Sequence, residues 1–168
     1  MEIRNYQEHD LEACRDLYVH MTEWHRTIYD SPGIGGDDPG KEFDEQLAKV
    51  GSERIWVAEQ EGRIIGMIGL QPGYGESEIE VEPVVVAPEA RGSGVGRAMV
   101  EHLIPVVRDM GHRDLNVHVV GRNAEAIRFY HEVGFDVVGH FELLYDTSPR
   151  DKQIWREGET IAGRRFRV

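Results

Sequence analysis

The sequence contains one cysteine and no long hydrophobic run. Cys14 has no partner for an internal disulfide, and its position on the apolar stripe of an expected helix favours a buried structural thiol. No stretch approaches the roughly 18 apolar residues of a membrane span, and no basic and then apolar leader opens the sequence. The eight histidines show no metal-ligand spacing. We therefore expect a soluble, cytoplasmic protein with no metal and no membrane partner.

Basic residues are scarce relative to acidic ones. The chain carries 31 Asp and Glu against 19 Lys and Arg, a formal net charge of −12. Because nucleic-acid binding depends on cations that neutralise phosphates, we expect no nucleic-acid partner. Residues 1–82 hold 19 acidic and 7 basic side chains, whereas residues 83–168 hold 12 of each. This asymmetry is typical of a solvated acidic surface, or it provides an acidic approach for a cationic substrate.

The pattern of apolar residues predicts a single α/β domain over residues 1–168. A strand at 3–6 precedes a long helix, an irregular loop at 31–40 and a short helix. Two β-rich runs form a hairpin, and a third strand spans 78–86. A helix, a strand at 115–120, a helix at 123–132 and a strand at 135–145 follow. Residues from about 142 to 168 form a C-terminal extension with at least one further strand of open register.

The strand at 78–86 leads through a glycine-rich turn directly into a helix. Its apolar end is followed by a turn in which glycines allow tight backbone folding. Successive amides and the positive end of the helix dipole then converge on one point, which is the geometry of a pyrophosphate site. The residues that we expect to bind a cofactor here are Val84, Val85, Val86, Arg91, Gly92, Ser93, Gly94, Val95, Gly96 and Arg97.

Two segments, VAPEARGSGVG at 86–96 and NAEAIRFYHEVGF at 123–135, resemble the two signature motifs of the GNAT superfamily, the GCN5-related N-acetyltransferases. The first is similar to the family's [RQ]xxGxG/A loop. The second is similar to its NxxAxxxYxxxGF helix. The resemblance in element order runs from residue 3 to about 141. The matching positions are Arg91, Gly94, Gly96, Asn123, Ala126, Tyr130, Gly134 and Phe135.

The resemblance implies a mixed central sheet of six to seven strands, splayed between strands 4 and 5 and flanked by about four helices. Coenzyme A is expected in the splay, with its pantetheine arm beside Val84 and Val86 and its pyrophosphate on residues 91–96. Asn123, Ala126 and Tyr130 are expected to reach it from the following helix. Pro83 fits independently, because a proline inside a strand removes a ladder donor and indicates a bulge or an unpaired stretch.

Acyl transfer to an amine needs a proton donor for the thiolate and an acceptor for the amine proton. Tyr130 stands at the position of the family's general acid. For the base, Glu78, Glu80 and Glu82 alternate along one strand. Glu80 is the first choice and Glu82 the second, while His118 is a further candidate at the position where some members carry glutamate. A backbone amide near Val85 or Val86 is expected to stabilise the oxyanion.

The leading hypothesis is an acyl-CoA dependent N-acyltransferase that moves acetyl from acetyl-CoA to a primary amine by direct attack in a ternary complex. The alternative is a non-catalytic acyl-CoA-binding regulatory protein. A dinucleotide-binding oxidoreductase is disfavoured, because the glycine spacing differs from GxGxxG. The acceptor is expected to be cationic and to be a small molecule, a peptide or a protein. The oligomeric state is left open, with a homodimer as one outcome.

Overall fold

The structure, a computed structural model, describes residues 1–73, 75, 78–149, 155 and 157–168. These residues fall into two compact units, Met1–His118 and Val119–Val168. The single domain over residues 1–168 stays a prediction. No helix in the described ranges is both long and apolar enough to cross a membrane.

The first unit is a mixed five-stranded sheet with three α-helices. The sheet order is β1-β2-β3-β4-β5, with antiparallel pairs up to β4 and a parallel β5 at the edge. This confirms the α/β class. The strands are β1 (Glu2–Asn5), β2 (Ile55–Gln60), β3 (Arg63–Pro72), β4 (Ile79–Val86) and β5 (Leu115–Asn116), and the helices are α1 (Leu11–Tyr29), α2 (Lys41–Val50) and α3 (Val95–Asp109).

The helices cover the two faces of this sheet. On one face, α1 and α2 pack on a buried cluster of side chains, and the aromatic ring of Phe43 lies 5.6 Å from that of Tyr6 and 5.8 Å from that of Tyr18. On the other face, α3 lies so close to β3 that a Cβ atom on Gly66 would stand 3.1 Å from Met99 Cε. Burial of apolar side chains on both faces explains why the strands are rich in Val and Ile.

The second unit, Val119–Val168, contains α4 (Ala124–Glu132) and a hairpin of β6 (Glu157–Ile161) and β7 (Arg164–Arg167). The Asn123 side chain accepts a hydrogen bond from the Ala126 amide at 3.1 Å, which caps the start of α4. Gly134, with φ 109°, follows the helix end. The hairpin confirms the strand expected in the tail, although residues 150–154 and 156 of that tail lie outside the described residues.

The structure corrects the predicted strands in two places. The strand expected at 115–120 is limited to Leu115–Asn116, and the central sheet has five strands in the described residues instead of six to seven. Residues 135–145 form no strand. In that segment the apolar residues come in adjacent pairs and not in alternation, so no single face is available for burial. Val137 and Tyr145 are 85% and 91% exposed.

Candidate active site

Strand β4 contains a bulge in its middle. Ile68 pairs with Val84 and Leu70 with Val81, so Glu82 and Pro83 together stand opposite the single residue Gly69. The Glu82–Pro83 peptide bond is cis. The irregularity that Pro83 predicted is therefore confirmed.

Strands β4 and β5 form a fork. Only Ile79 and Glu80 pair with β5, through Leu115 and Asn116. From Val81 onward, β4 has no strand partner on that side among the described residues of the first unit. The predicted splay between strands 4 and 5 is confirmed. The backbone around Val84 and Val86 therefore lies at an edge that β5 does not pair with. A cofactor arm that forms hydrogen bonds with backbone groups requires such an edge. The side chain of Val85 points into the core.

The glycine-rich loop has the backbone geometry of an anion site. Gly92 and Gly94 have φ of 72° and 90°, which only glycine adopts without strain, and Gly94 is the N-cap of the 15-residue helix α3. Within the described part of the chain, no acceptor is found for the backbone amides of Gly92, Ser93 and Gly94. The first amides of a helix also lack intrahelical partners. Val95 and Gly96 begin α3, so the loop fits a pyrophosphate group.

The two arginines of the loop are engaged by the protein itself. Arg91 Nε donates a 3.2 Å hydrogen bond to the carbonyl oxygen of Val86, the last residue of β4. Arg97 lies 3.8 Å from the carboxylate of Glu101, one turn further along α3. Both side chains therefore border the loop, and Arg91 connects the loop to the end of β4.

Glu80 is the centre of a hydrogen-bonded chain of four side chains. Lys49 Nζ donates to Gln71 Oε1 at 2.8 Å, Gln71 Nε2 donates to Glu80 Oε2 at 3.1 Å, and Glu80 Oε1 lies 2.5 Å from His118 Nδ1. The Glu80 side chain is 11% exposed and that of His118 is 47% exposed. The structure thus brings together two of the three predicted base candidates.

Sequence reasoning missed Lys49 and Gln71. Gln71 is the direct cross-strand neighbour of Glu80, so a correct register of β3 on β4 predicts that their side chains meet. The bulge at Glu82 shifts that register and hides the pairing from a simple count along the hairpin.

Glu82 is the third candidate and lies in a different environment. Burial, followed by the negative charge of Glu80, raises the pKa of the Glu82 carboxyl from its ordinary 4.5 to about 7. Burial and the charge of Glu82 in turn raise the pKa of Tyr18 on α1 above its ordinary value. The Glu82 main chain is held by Gln46 of α2, whose Nε2 donates to the Glu82 carbonyl oxygen at 3.2 Å. Glu82 therefore exchanges a proton near neutral pH.

Glu78 does not belong to this group. It precedes β4, which begins at Ile79, and its carboxylate accepts a hydrogen bond from the Gly75 amide at 3.2 Å. The predicted face of three alternating glutamates is reduced to Glu80 and Glu82, because Glu78 lies in the turn before the strand.

Tyr130, Asn123 and Ala126 lie in the second unit. The Tyr130 ring contacts Phe129 and Phe135 in edge-to-face geometry, with centroids 5.0 and 5.4 Å apart. The Phe135 amide donates to the Tyr130 carbonyl at 2.9 Å, which closes the end of α4. These contacts fix the ring, while the predicted roles of Tyr130, Asn123 and Ala126 in cofactor binding and acid catalysis stay predictions.

The loop between α1 and α2 carries acidic residues, and one of them is partly neutralised by an arginine. Asp37 and Asp38 are both exposed, and Asp38 lies 3.4 Å from Arg15 of α1. Asp30 is the C-cap of α1 in the left-handed conformation. Asp37 is therefore the better candidate for attracting a cation.

Comparisons with known proteins place these features in a family. The sequence model of the acetyltransferase (GNAT) family matches residues 13–135, a range that includes the loop and α4. The 5-NmdU N-acetyltransferase of Pseudomonas phage PaMx11 is 38% identical over 85 residues, which cover 51% of this chain and 59% of that protein. The glucosamine 6-phosphate N-acetyltransferase of Trypanosoma brucei brucei is 26% identical over 140 residues, which cover 80% of this chain and 88% of that protein.

The fold is also similar to that of solved structures. One of them is the structure of AAC(6')-Iy in complex with the bisubstrate analogue CoA-S-monomethyl-acetylneamine. It superposes on this chain with a TM-score of 0.61. The match covers 88% of this chain and 98% of that one, with 17% identical residues. At this identity the likeness shows a shared fold.

Proposed function

The chain belongs to the acetyltransferase (GNAT) family, and we propose that it transfers an acyl group, acetyl in the first place, from acyl-CoA to a primary amine. The reaction is a direct attack of the amine within a ternary complex. The observation that carries this proposal is the fork between β4 and β5, which continues through the glycine-rich loop into α3. An unpaired strand edge and an amide-lined turn on one segment suit a long ligand with a pyrophosphate in its middle.

When bound, acyl-CoA supplies the thioester whose acyl carbon the amine attacks. In the first unit, the backbone near Val84 and Val86 binds the pantetheine arm, and residues 91–96 bind the pyrophosphate. The guanidinium groups of Arg91 and Arg97 add positive charge beside the phosphates. The family resemblance implies that Asn123 and Ala126 also contribute to cofactor binding.

The chain also offers groups for each chemical need of the reaction. The phenol of Tyr130 donates a proton to the departing sulfur, and a backbone amide near Val85 or Val86 stabilises the oxyanion. The base is Glu80, Glu82 or His118, of which Glu80 and His118 are in contact near the last pair between β4 and β5.

We propose a positively charged acceptor. All of the excess negative charge lies in residues 1–82, which include α1, α2 and the loop that carries Asp37. Clustered charge of one sign raises the local concentration of an oppositely charged substrate. The Trypanosoma relative is named for glucosamine 6-phosphate, a small amine that also carries a phosphate group, so its name supports the small size of the acceptor and not its charge.

Calorimetric titration with CoA tests the cofactor site. A glutamate in place of Gly94 obstructs the loop and adds charge against the pyrophosphate, so we expect Gly94→Glu to abolish binding. Gly111→Glu is the matched control. Gly111 also has positive φ, at 85°, and open space at its Cβ position, but it lies beyond the opposite end of α3. Equal CoA affinity in folded Gly94→Glu and in wild type contradicts the site.

A panel of amines with acetyl-CoA, followed by thiol release, tests the reaction. Transfer to at least one amine is expected, with cationic amines preferred over neutral ones of similar size. CoA binding without transfer to any amine in a broad panel supports the non-catalytic regulator instead.

A further inference from the structure

Both carboxylate oxygens of Glu80 face nitrogen atoms. Gln71 Nε2 lies 3.1 Å from Oε2, and His118 Nδ1 lies 2.5 Å from Oε1. An ionised carboxylate only accepts hydrogen bonds, so the proton in the second contact belongs to Nδ1. In the neutral imidazole, Nε2 is then the atom with the lone pair.

The orientation of Gln71 is fixed from its other side. The ammonium group of Lys49 only donates, so the amide oxygen of Gln71 must face it, at 2.8 Å. The amide NH₂ of Gln71 must therefore face Glu80. Lys49, which lies on α2, thus determines which end of Gln71 points at the carboxylate.

We propose that His118 Nε2 is the proton acceptor of the acyl transfer, and that Glu80 and Gln71 are positioning residues that hold the ring in its Nδ1–H form. This assignment rests on the proposed function. It gives Glu80, the first choice from the sequence, a different task, because its nearly buried carboxylate is held between Gln71 and His118.

The position of the two side chains suits this division of roles. Glu80 is nearly buried and belongs to the last residue pair between β4 and β5, whereas the half-exposed ring of His118 follows two residues after β5. A buried carboxylate that holds a more accessible imidazole is the arrangement by which enzymes fix the tautomer of a catalytic histidine.

The step balances without any further reactant. The lone pair of the amine forms the C–N bond to the acyl carbon, and the C–S bond breaks with its electron pair remaining on sulfur. The proton lost by the nitrogen moves to His118 Nε2, and the sulfur takes its proton from the general acid. After product release His118 gives its proton to solvent and the general acid takes one from solvent, so both groups regain their starting forms.

A Glu80→Gln substitution tests the assignment, because it keeps the shape of the side chain. Gln71 still presents its NH₂ group to position 80, so the new amide must place its oxygen toward Gln71. Its own NH₂ group then faces His118 Nδ1, which has to become the acceptor. The ring changes to its Nε2–H form and loses the lone pair that accepts the proton. We expect kcat/KM for the amine to fall about 100-fold, within the usual range for acid-base catalysis.

The double variant Glu80→Gln, Gln71→Leu separates this mechanism from a general loss of structure. Leucine removes the amide that dictates the orientation, so the glutamine at position 80 is able to turn its oxygen toward His118. We expect the Nδ1–H form to return and kcat/KM to recover about tenfold relative to the single variant, although the second change removes a further hydrogen bond. Glu61→Gln is the charge-matched control, since Glu61 is exposed in the turn between β2 and β3, at the opposite end of that hairpin from Gln71.

Nitrogen NMR of the His118 ring at a pH where it is neutral reads the tautomer directly, in the protein without acyl-CoA. The Nδ1–H form in wild type, the Nε2–H form in Glu80→Gln and its reversal in the double variant support the proposal. An Nε2–H ring in wild type, or a Glu80→Gln rate equal to wild type, overturns it. If wild type acetylates no amine, the proposed function and the catalytic role both fall, and the tautomer measurement still shows whether Glu80 and Gln71 orient the ring.

Discussion

The carbonyl oxygen of Glu82 lies 2.7 Å from the position that a Cβ atom would take on Gly69, across the β3–β4 pair. Pro83 Cδ is 3.0 Å from the same point. The bulge that shapes the candidate site therefore requires a residue without a side chain on the neighbouring strand. At this point Gly69 of β3 leaves the space that Glu82 and Pro83 of β4 occupy.

Gly69→Ala should destabilise the fold, because the methyl group meets backbone atoms that have little room to move. Overpacking of this kind costs about 1–3 kcal/mol in the free energy of unfolding. Urea unfolding of wild type and variant measures the difference. Gly33→Ala is the control, since nothing lies within 4 Å of its Cβ position, and we expect a change well below that of Gly69→Ala. Equal stability of the two variants contradicts the tight approach at the bulge.

Glu82 should make the stability of the protein depend on pH. Because its pKa rises from 4.5 to about 7 on folding, the folded state keeps a proton between these pH values that the unfolded state has lost. The contribution of Glu82 to stability is therefore favourable at low pH and is lost as pH rises through this window. We expect Glu82→Gln, which does not titrate, to gain on the order of 2 kcal/mol relative to wild type between pH 5 and pH 8.

Denaturant unfolding at both pH values measures this gain as the difference between variant and wild type. Glu61→Gln changes the same charge at an exposed turn and should show a nearly constant difference. If Glu82→Gln follows the wild-type pH dependence, the carboxyl is not buried in the way that raises its pKa.

Tyr130→Phe should lower turnover more than it lowers CoA affinity. The substitution keeps the ring contacts with Phe129 and Phe135 and removes only the hydroxyl group. A lost general acid costs about 10²- to 10⁴-fold in rate. Steady-state kinetics with an identified amine and CoA calorimetry measure the two effects. Tyr145→Phe, at a side chain that is 91% exposed, is the control, and equal turnover in both variants limits Tyr130 to packing.

Asp37→Asn should reduce kcat/KM for a cationic amine at low salt and have little effect on kcat. Exposed charges are screened beyond roughly 8 Å at physiological ionic strength, so the difference from wild type should shrink as salt rises. Asp109→Asn, at the exposed end of α3, controls for net charge. A salt-independent kcat/KM, or equal effects of the two variants, indicates that the excess negative charge of residues 1–82 forms only a solvated surface.

The elements with strong local signals could be predicted from the sequence. Helical spacing of apolar residues identified α1, and glycines at turns identified the hairpin and the loop before α3. Strand β5 was predicted too long, because the valines at 117, 119 and 120 have high strand propensity, while pairing with β4 ends at Asn116. Strand length in a forked sheet is decided by the neighbouring strand and not by propensity.

The site was predictable where its residues follow one another along the chain. The loop at 91–96 is of this kind. The connection from Lys49 through Gln71 to Glu80 and His118 joins four separate segments, and only the sheet register brings them together. Glu78 was grouped with the other glutamates by its alternation, and the early turn at Gly75 removes it from the strand.

The fork has a consequence for how this molecule tolerates change. The fork opens at a single residue, Glu80. Its main chain forms the last pair between β4 and β5, with Asn116, and its carboxylate contacts the His118 ring. One more pair between β4 and β5 would cover backbone groups of the proposed cofactor site, and one pair fewer would separate Glu80 from the His118 ring. Substitutions on the exposed faces of α1 and α2 would leave this register unaltered, whereas insertions near Asn116 would disturb the proposed cofactor site and the proposed proton acceptor together.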